Sequence, residues 1–180
     1  YAYTKYLGEV MLSRYFKINK INYTIVRLFN IFGPKSNAVI GKFLAQKIQK
    51  KKLTIFGNGN QKRDFLYIDD LNRAILSILK KKISKNKIYN LGYGNSYSIL
   101  DLAKLIEKKN FVNLPKRNDD IEISISNINK IKKDLNWSPK ISLKKGLDRI
   151  INIDKKRLKK TKLITIDQQK KIINSFNKKN

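Results

Sequence analysis

The apolar residues of the chain follow two patterns. In some segments they recur every three or four positions, the spacing of an amphipathic helix, and these segments are 1–18, 39–48, 71–79, 98–109, 127–137, 142–158 and 167–176. In shorter segments apolar and β-branched residues run together, as in buried strands, and these segments are 23–29, 53–56, 65–68 and 87–91. Because the two kinds of element alternate, the sequence predicts an α/β fold with mainly parallel strand pairing.

Turn and capping residues mark the ends of several elements. Residues 33–34, Gly-Pro, end the first strand, and the glycine- and asparagine-rich loop 57–60 favours positive φ angles. Either Asp69 or Asp70 is expected to cap the third helix. Ser98, with an aspartate three residues further on, has the spacing of a capping box.

Composition removes several kinds of site. The chain has no cysteine and no histidine, so it has no disulfide or thiolate site and lacks the usual imidazole ligand of transition metals. We predict no metal site. No apolar run approaches the roughly 20 residues that span a bilayer, and a cytoplasmic location is expected.

The formal net charge of +28 raises the possibility of a nucleic-acid partner. The charge comes from 34 lysines against seven arginines, and isoleucine (27) and asparagine (20) are also enriched. This pattern is expected from AT-rich codons, whereas a phosphate-binding surface would use more arginine. We therefore expect no specific nucleic-acid partner and no membrane partner, and we interpret the lysine run 50–52 as a solvated helix end.

Tyr1 and Lys5 lie one helical turn apart, which places both side chains on one helix face. An ammonium group next to a phenol stabilises the phenolate, the form that can remove a proton from an alcohol. By itself this spacing is also typical of a solvated helix face.

Further motifs follow in order along the chain, namely VRLFNIFGP (26–34), GNGNQKRDFLYIDD (57–70), NLG (90–92), RNDD (117–120) and LNWSP (135–139). As a set with Tyr1 and Lys5, they resemble the C-terminal half of the extended short-chain dehydrogenase/reductases, the NAD-dependent sugar-nucleotide epimerases and dehydratases. The resemblance covers about residues 1–151. The glycine-rich turn that holds the dinucleotide in this family has no counterpart here, so we expect the chain to be a fragment of a longer enzyme, inactive alone.

The resemblance implies a division of the chain into two units. Residues 1–34 and 65–92 would form the remainder of a Rossmann-type doubly wound NAD-binding domain. Residues 35–64 and 93–151 would form the smaller α/β substrate domain. Residues 152–180 lie outside the resemblance and are expected to form a basic tail that is helical or frayed.

The resemblance also implies roles for individual residues. Tyr1 would exchange a proton with a sugar hydroxyl, and Lys5 would bind the nicotinamide ribose. Phe29 would line the nicotinamide pocket, although core packing explains it equally well, and Asn30 would donate to a substrate phosphate. Arg63 and Arg117 would bind the diphosphate of the substrate, because planar guanidinium groups match phosphate oxygens.

Alternatives remain for these residues. Arg63 or Arg117 could instead form an ion pair with Asp64 or Asp120. Leu28 replaces a tyrosine that many epimerases have, and residues 118–119, Asn-Asp, replace the Pro-Gly that is usual in the family.

The leading interpretation is a UDP-sugar 4-epimerase that uses NAD and forms a homodimer when intact. The alternatives are a nucleotide-sugar 4,6-dehydratase and a noncatalytic basic binding module.

Overall fold

The structure, a computed structural model, describes residues 1–118 and 120–177. Its helices are α1 (Ala2–Ile18), α2 (Val39–Ile48), α3 (Ile68–Lys80), α4 (Ile99–Ile106), α5 (Asn129–Leu135), α6 (Leu143–Lys160) and α7 (Ile166–Asn177). Its strands are β1 (Thr24–Leu28), β2 (Asn30–Phe32), β3 (Leu53–Phe56), β4 (Lys62–Arg63), β5 (Phe65–Tyr67), β6 (Lys87–Leu91), β7 (Tyr97–Ser98) and β8 (Phe111–Leu114). Residue 119 of the RNDD motif and the end of the predicted tail, 178–180, lie outside the described residues.

Parallel pairing dominates, as the sequence predicts. The pairs β1–β6, β2–β5 and β3–β8 are parallel, and the short pair β4–β7 is antiparallel. Four of these strands have no counterpart among the sequence predictions: β2, β4, β7 and β8 are short or interrupted by polar residues, so no apolar run marks them. The α/β fold class is confirmed.

Two hydrophobic cores hold these elements together. The first lies between α2, α4 and α6 and the strands β3 and β5, and includes the fully buried Leu44, Leu53, Leu102 and Ile150. The second lies between α3, α5 and β6 and includes Trp137. Trp137 Nε1 donates to the Asp70 carbonyl at 3.2 Å, so this residue packs the C-terminal segment as predicted.

The predicted cap of α3 is wrong. The helix begins after Tyr67 with no side-chain cap, and both aspartates lie in its first turn. The buried Asp70 carboxylate instead accepts from the backbone N–H groups of Lys140 and Ile141 at 2.9 and 2.8 Å. Tertiary contacts that lie some 70 residues away in sequence therefore decide the position of this side chain.

The predicted capping box of α4 is confirmed. Ser98 Oγ accepts from the Asp101 N–H at 2.9 Å and donates to the Asp101 carboxylate at 2.6 Å. Of the two alternatives for the tail, helical or frayed, the structure shows a helix, because α7 is regular and buries Gln169 and Ile173.

Within the described residues, α1 has no buried side chain. Its apolar residues, among them Leu7, Val10 and Met11, remain exposed. This helix therefore presents an apolar surface instead of contributing to either core.

Candidate functional site

The first strand segment changes its partner at Phe29 and Asn30. Up to Leu28 it pairs with β6, and from Asn30 onward it pairs with β5. At the change, the Phe29 N–H donates to the Leu91 carbonyl at 3.0 Å and the Asn30 N–H donates to the Asp64 carbonyl at 3.1 Å. Ligands of open α/β sheets gather at the carboxyl ends of strands where the connections diverge. The sequence predicted one strand here and missed this change.

Asp64 fixes the backbone beside this point. Its fully buried carboxylate accepts from the Tyr93 N–H at 2.6 Å, the Gly94 N–H at 3.1 Å and the Ser126 N–H at 3.0 Å. Ser126 Oγ donates to the same carboxylate at 2.5 Å. A Cβ at Gly92 would lie 2.7 Å from Asp64 Oδ2 and 2.2 Å from Ser126 Oγ. The glycine of the NLG motif is therefore required by the close approach of this carboxylate.

Replacing Asp64 by Asn should lower the free energy of unfolding by about 2 kcal/mol, because charge-assisted hydrogen bonds contribute roughly 1.5–3 kcal/mol. The amide presents N–H groups to a site that contains mainly donors. Thermal unfolding should show a decrease of roughly 4–8 °C in Tm for a chain of this size. Asp148→Asn, at an exposed carboxylate of α6, is the matched control. Equal Tm values for the two variants would show that Asp64 does not hold this backbone.

The three predicted substrate residues, Asn30, Arg63 and Arg117, line one cleft of about 430 Å³. The cleft also contains Lys42 and Asp120. Asn30 Nδ2 donates to the Asp64 carbonyl at 3.1 Å, which orients its amide. Three cations and one carboxylate give this cleft a positive charge, which suits an anionic ligand.

Arg63 forms the ion pair that the sequence left as an alternative. Its guanidinium group donates to the Asp120 carboxylate, and Nη1 donates to the carbonyls of Lys62 and Ile121 at 2.9 and 2.5 Å. Both ionic side chains are mostly buried. A ligand phosphate would therefore compete with Asp120 for Arg63.

Arg117 stacks on an aromatic ring instead. Its guanidinium carbon lies 3.9 Å from the Phe56 ring centroid, in the range of a cation–π contact. The side chain is exposed at the edge of the cleft.

Lys42 is a cleft residue that the sequence reasoning missed. Burial, with a smaller contribution from the nearby Arg117 guanidinium, lowers the pKa of its ammonium group to about 8. Its Nζ lies 5.0 Å from the Phe56 ring centroid. One signal was available, because Lys42 is the single charged residue within the buried stretch 40–46 of α2.

Tyr1 is the N-cap residue of α1 and Lys5 lies in the first turn of this helix, with Lys5 Nζ 5.4 Å from the Tyr1 ring centroid. Tyr1 is 93% exposed. Among the residues that the structure describes, neither of them nor the half-buried Phe29 lines the cleft. The predicted catalytic pair and the predicted diphosphate residues are thus separate features of this chain.

Two features are absent from the described ranges, 1–118 and 120–177. No helix there is long and apolar enough to cross a membrane. No group of three or more acidic side chains there could hold a metal ion.

Parallel strand pairs covered by helices, with a polar cleft beside a change of strand partner, define a Rossmann-type α/β protein. Residues 1–92 match the model of the NAD dependent epimerase/dehydratase family. The chain belongs to this family, which confirms the resemblance found in its motifs.

Individual relatives and a solved structure agree with this assignment. The chain is 34% identical to a UDP-glucuronate 4-epimerase of Thermodesulfobacterium geofontis over 92% of this chain and 53% of the relative. It is 33% identical to a putative UDP-glucose 4-epimerase of Methanocaldococcus jannaschii over 84% and 52%. The crystal structure of a UDP-glucose 4-epimerase from Thermotoga maritima, with UDP-glucose, superimposes with a TM-score of 0.83 at 31% identity, over 88% of this chain and 54% of that one. The chain thus spans about half the length of these relatives.

Proposed function

We propose that the protein carrying this chain is an NAD-dependent enzyme that modifies nucleotide sugars, and specifically a UDP-sugar 4-epimerase. The observation that carries the proposal is the cleft in which Asn30, Arg63 and Arg117 meet, on a chain of the epimerase/dehydratase family. A diphosphate with its two adjacent charged groups matches two guanidinium groups at one cleft.

Tyr1 and Lys5 fit the requirements of the oxidation step. NAD, which Lys5 and Phe29 would contact, would supply the acceptor and donor of hydride for the hydrogen at C4 of the sugar. Tyr1 removes the proton of the C4 hydroxyl and later returns it, as a general base and then a general acid. Lys5 stabilises the phenolate by its positive charge and donates to ribose hydroxyls. Rotation of the 4-keto sugar between the two steps inverts C4.

The cleft holds the other end of the substrate in this proposal. Asn30 donates its amide N–H to a phosphate oxygen, while Arg63 and Arg117 neutralise the diphosphate. The binding energy of this remote group fixes the orientation of the sugar at the reacting carbon.

The protein carrying this chain should interconvert UDP-glucose or UDP-glucuronate with its C4 epimer when NAD is present. NMR of the sugar protons would follow both epimers toward equilibrium. In D₂O the C4 position should stay free of deuterium, because the same hydrogen leaves and returns. A product that has lost water, with a 4-keto-6-deoxy sugar, would instead identify the 4,6-dehydratase. No turnover of either kind, with equal binding of unrelated polyanions, would favour the basic binding module.

A homodimer and a cytoplasmic location complete the proposal. The exposed apolar residues of α1, among them Val10 and Met11, offer a surface that would suit a second copy or another part of the enzyme. Sedimentation of the active protein would establish its oligomeric state.

A further inference from the structure

Helix α7 lies against the cations of the cleft. Its buried side chains, Gln169 and Ile173, are each 3% exposed. Residues of α7 form one side of a second cavity of about 340 Å³, and the other side is formed by Lys42, Phe56 and Arg117. This helix follows the part of the chain that resembles the family, so the resemblance assigned it no role.

Gln169 fixes the position of the Lys42 ammonium group. Its Nε2 donates to the Ile164 carbonyl at 3.1 Å, which turns its Oε1 toward Lys42. Lys42 Nζ donates to that oxygen. Because an amide is neutral, this hydrogen bond orients the ammonium group and leaves its positive charge available to an anion.

The other end of α7 holds the loop that carries Arg117. Asn177 Nδ2 donates to the Lys116 carbonyl at 3.0 Å, and Asn177 Oδ1 accepts from the Asn118 N–H at 3.3 Å. The backbone is thus held on both sides of Arg117. At its beginning α7 is fixed by reciprocal hydrogen bonds between Thr165 and Gln168, at 2.9 and 3.2 Å, in a capping box.

We propose that α7 positions the cations that bind the substrate diphosphate: Gln169 holds Lys42, which contacts the diphosphate itself, and Asn177 holds the Arg117 loop. The inference rests on the proposed function, because it assumes a diphosphate in this cleft. It makes Lys42 a third binding residue beside Arg63 and Arg117, and Gln169 a positioning residue.

Calorimetric titration of the protein that carries this chain with UDP tests this assignment. Lys42→Met, which keeps the side-chain stem, should weaken UDP binding at least about 10-fold, as expected for a lost charge-assisted hydrogen bond. Gln169→Ala should weaken it about 3- to 10-fold, the scale of one hydrogen bond. Asn174→Ala, at an exposed amide of the same helix, is the matched control and should bind UDP normally.

A double-mutant cycle separates positioning from general stabilisation. If Gln169 acts through Lys42, Gln169→Ala should have almost no further effect in the Lys42→Met background. Gln169→Glu retains an acceptor for Lys42 but adds a negative charge to the cleft. Because this charge repels the diphosphate, Gln169→Glu should weaken UDP binding more than Gln169→Ala. Thermal unfolding of each variant identifies any change that acts only by destabilising the fold.

The pH dependence of binding gives a readout that a purely structural Lys42 would not change. The pKa of Lys42 is about 8, so the ammonium group is protonated below that pH and UDP affinity should decrease as the pH rises from 7 to 9. The other ionisable groups that line this cleft and the two further cavities that Lys42 also lines are Arg63, Arg117, Asp120, Arg157 and Lys162. All of these groups are retained in Lys42→Met, so this variant separates their effect on UDP binding from that of Lys42. The decrease should be absent in Lys42→Met.

The outcomes distinguish this inference from the proposed function. Normal UDP binding by Lys42→Met, or independent effects of the two substitutions, would overturn the inference while the cleft arginines kept their role. Failure of the unaltered protein to bind UDP would overturn both.

Discussion

Replacing Tyr1 by Phe should lower the turnover of the protein that carries this chain by about 100-fold or more, the usual contribution of a general acid/base. Phenylalanine keeps the ring next to Lys5 but has no hydroxyl to exchange with the sugar. Substrate affinity should change little, because the diphosphate cleft does not include Tyr1 among the described residues. Steady-state kinetics with a UDP-sugar would measure both quantities.

Two further variants make this result specific. Tyr3→Phe removes a hydroxyl from an exposed tyrosine two residues away and should leave turnover unchanged. Lys5→Met should lower turnover and also weaken the binding of NAD, since the proposed role of Lys5 includes the ribose hydroxyls. If Tyr1→Phe retained normal turnover, Tyr1 would have no catalytic role, and the pair would be an ordinary solvated helix face.

The sequence predicted best those features whose cause is local. Ser98 and Asp101 cap α4 because their spacing alone creates the hydrogen bonds. Gly57 and Gly59 adopt positive φ angles, of 64° and 78°, in the loop where glycines indicated them. In both cases neighbouring residues determine the conformation, so the local sequence contains the necessary information.

Features that depend on distant contacts were missed or assigned wrongly. Asp70 has the sequence position of a helix cap, yet it binds backbone N–H groups of residues 140 and 141. The sequence predicts one strand over 23–29, but the segment from Thr24 to Phe32 pairs with one strand up to Leu28 and with another from Asn30 onward. No local pattern distinguishes one strand with one partner from one strand with two.

The candidate site shows the same division. The motifs identified Asn30, Arg63 and Arg117, and the structure places all three at one cleft. Lys42 and Gln169 lie on different helices and are 127 positions apart in sequence, and only folding brings them together. The separate roles of Arg63 and Asp64, neighbours in one motif, also emerge only from the fold: one faces the cleft and the other is fully buried.

Removing either cleft arginine should weaken the binding of UDP. A charge-assisted contact to a diphosphate contributes roughly 1.5–3 kcal/mol, so Arg117→Ala or Arg63→Ala should reduce UDP affinity by about 10- to 150-fold in calorimetry. The double variant should lose less than the sum of the two free energies, because both residues share one ligand group. Lys50→Ala, at the exposed end of α2, is the control and should bind normally. Equal small losses at all three positions would show that diffuse charge, and not a built site, holds the phosphates.

The ion pair of Arg63 with Asp120 gives the sharpest version of this test. In the structure without a ligand Asp120 occupies the Arg63 guanidinium group, so UDP must displace it or share it. Asp120→Asn removes the competing charge and the repulsion that a carboxylate exerts on phosphate. This variant should therefore bind UDP a few-fold more tightly, within the roughly tenfold change that 1.4 kcal/mol represents. If Arg63 serves only to hold Asp120 and the carbonyls of Lys62 and Ile121, Asp120→Asn should instead lower Tm and leave UDP affinity unchanged. The two roles predict different changes in UDP affinity and in Tm, so the two measurements together decide whether Arg63 binds the substrate or only stabilises the fold.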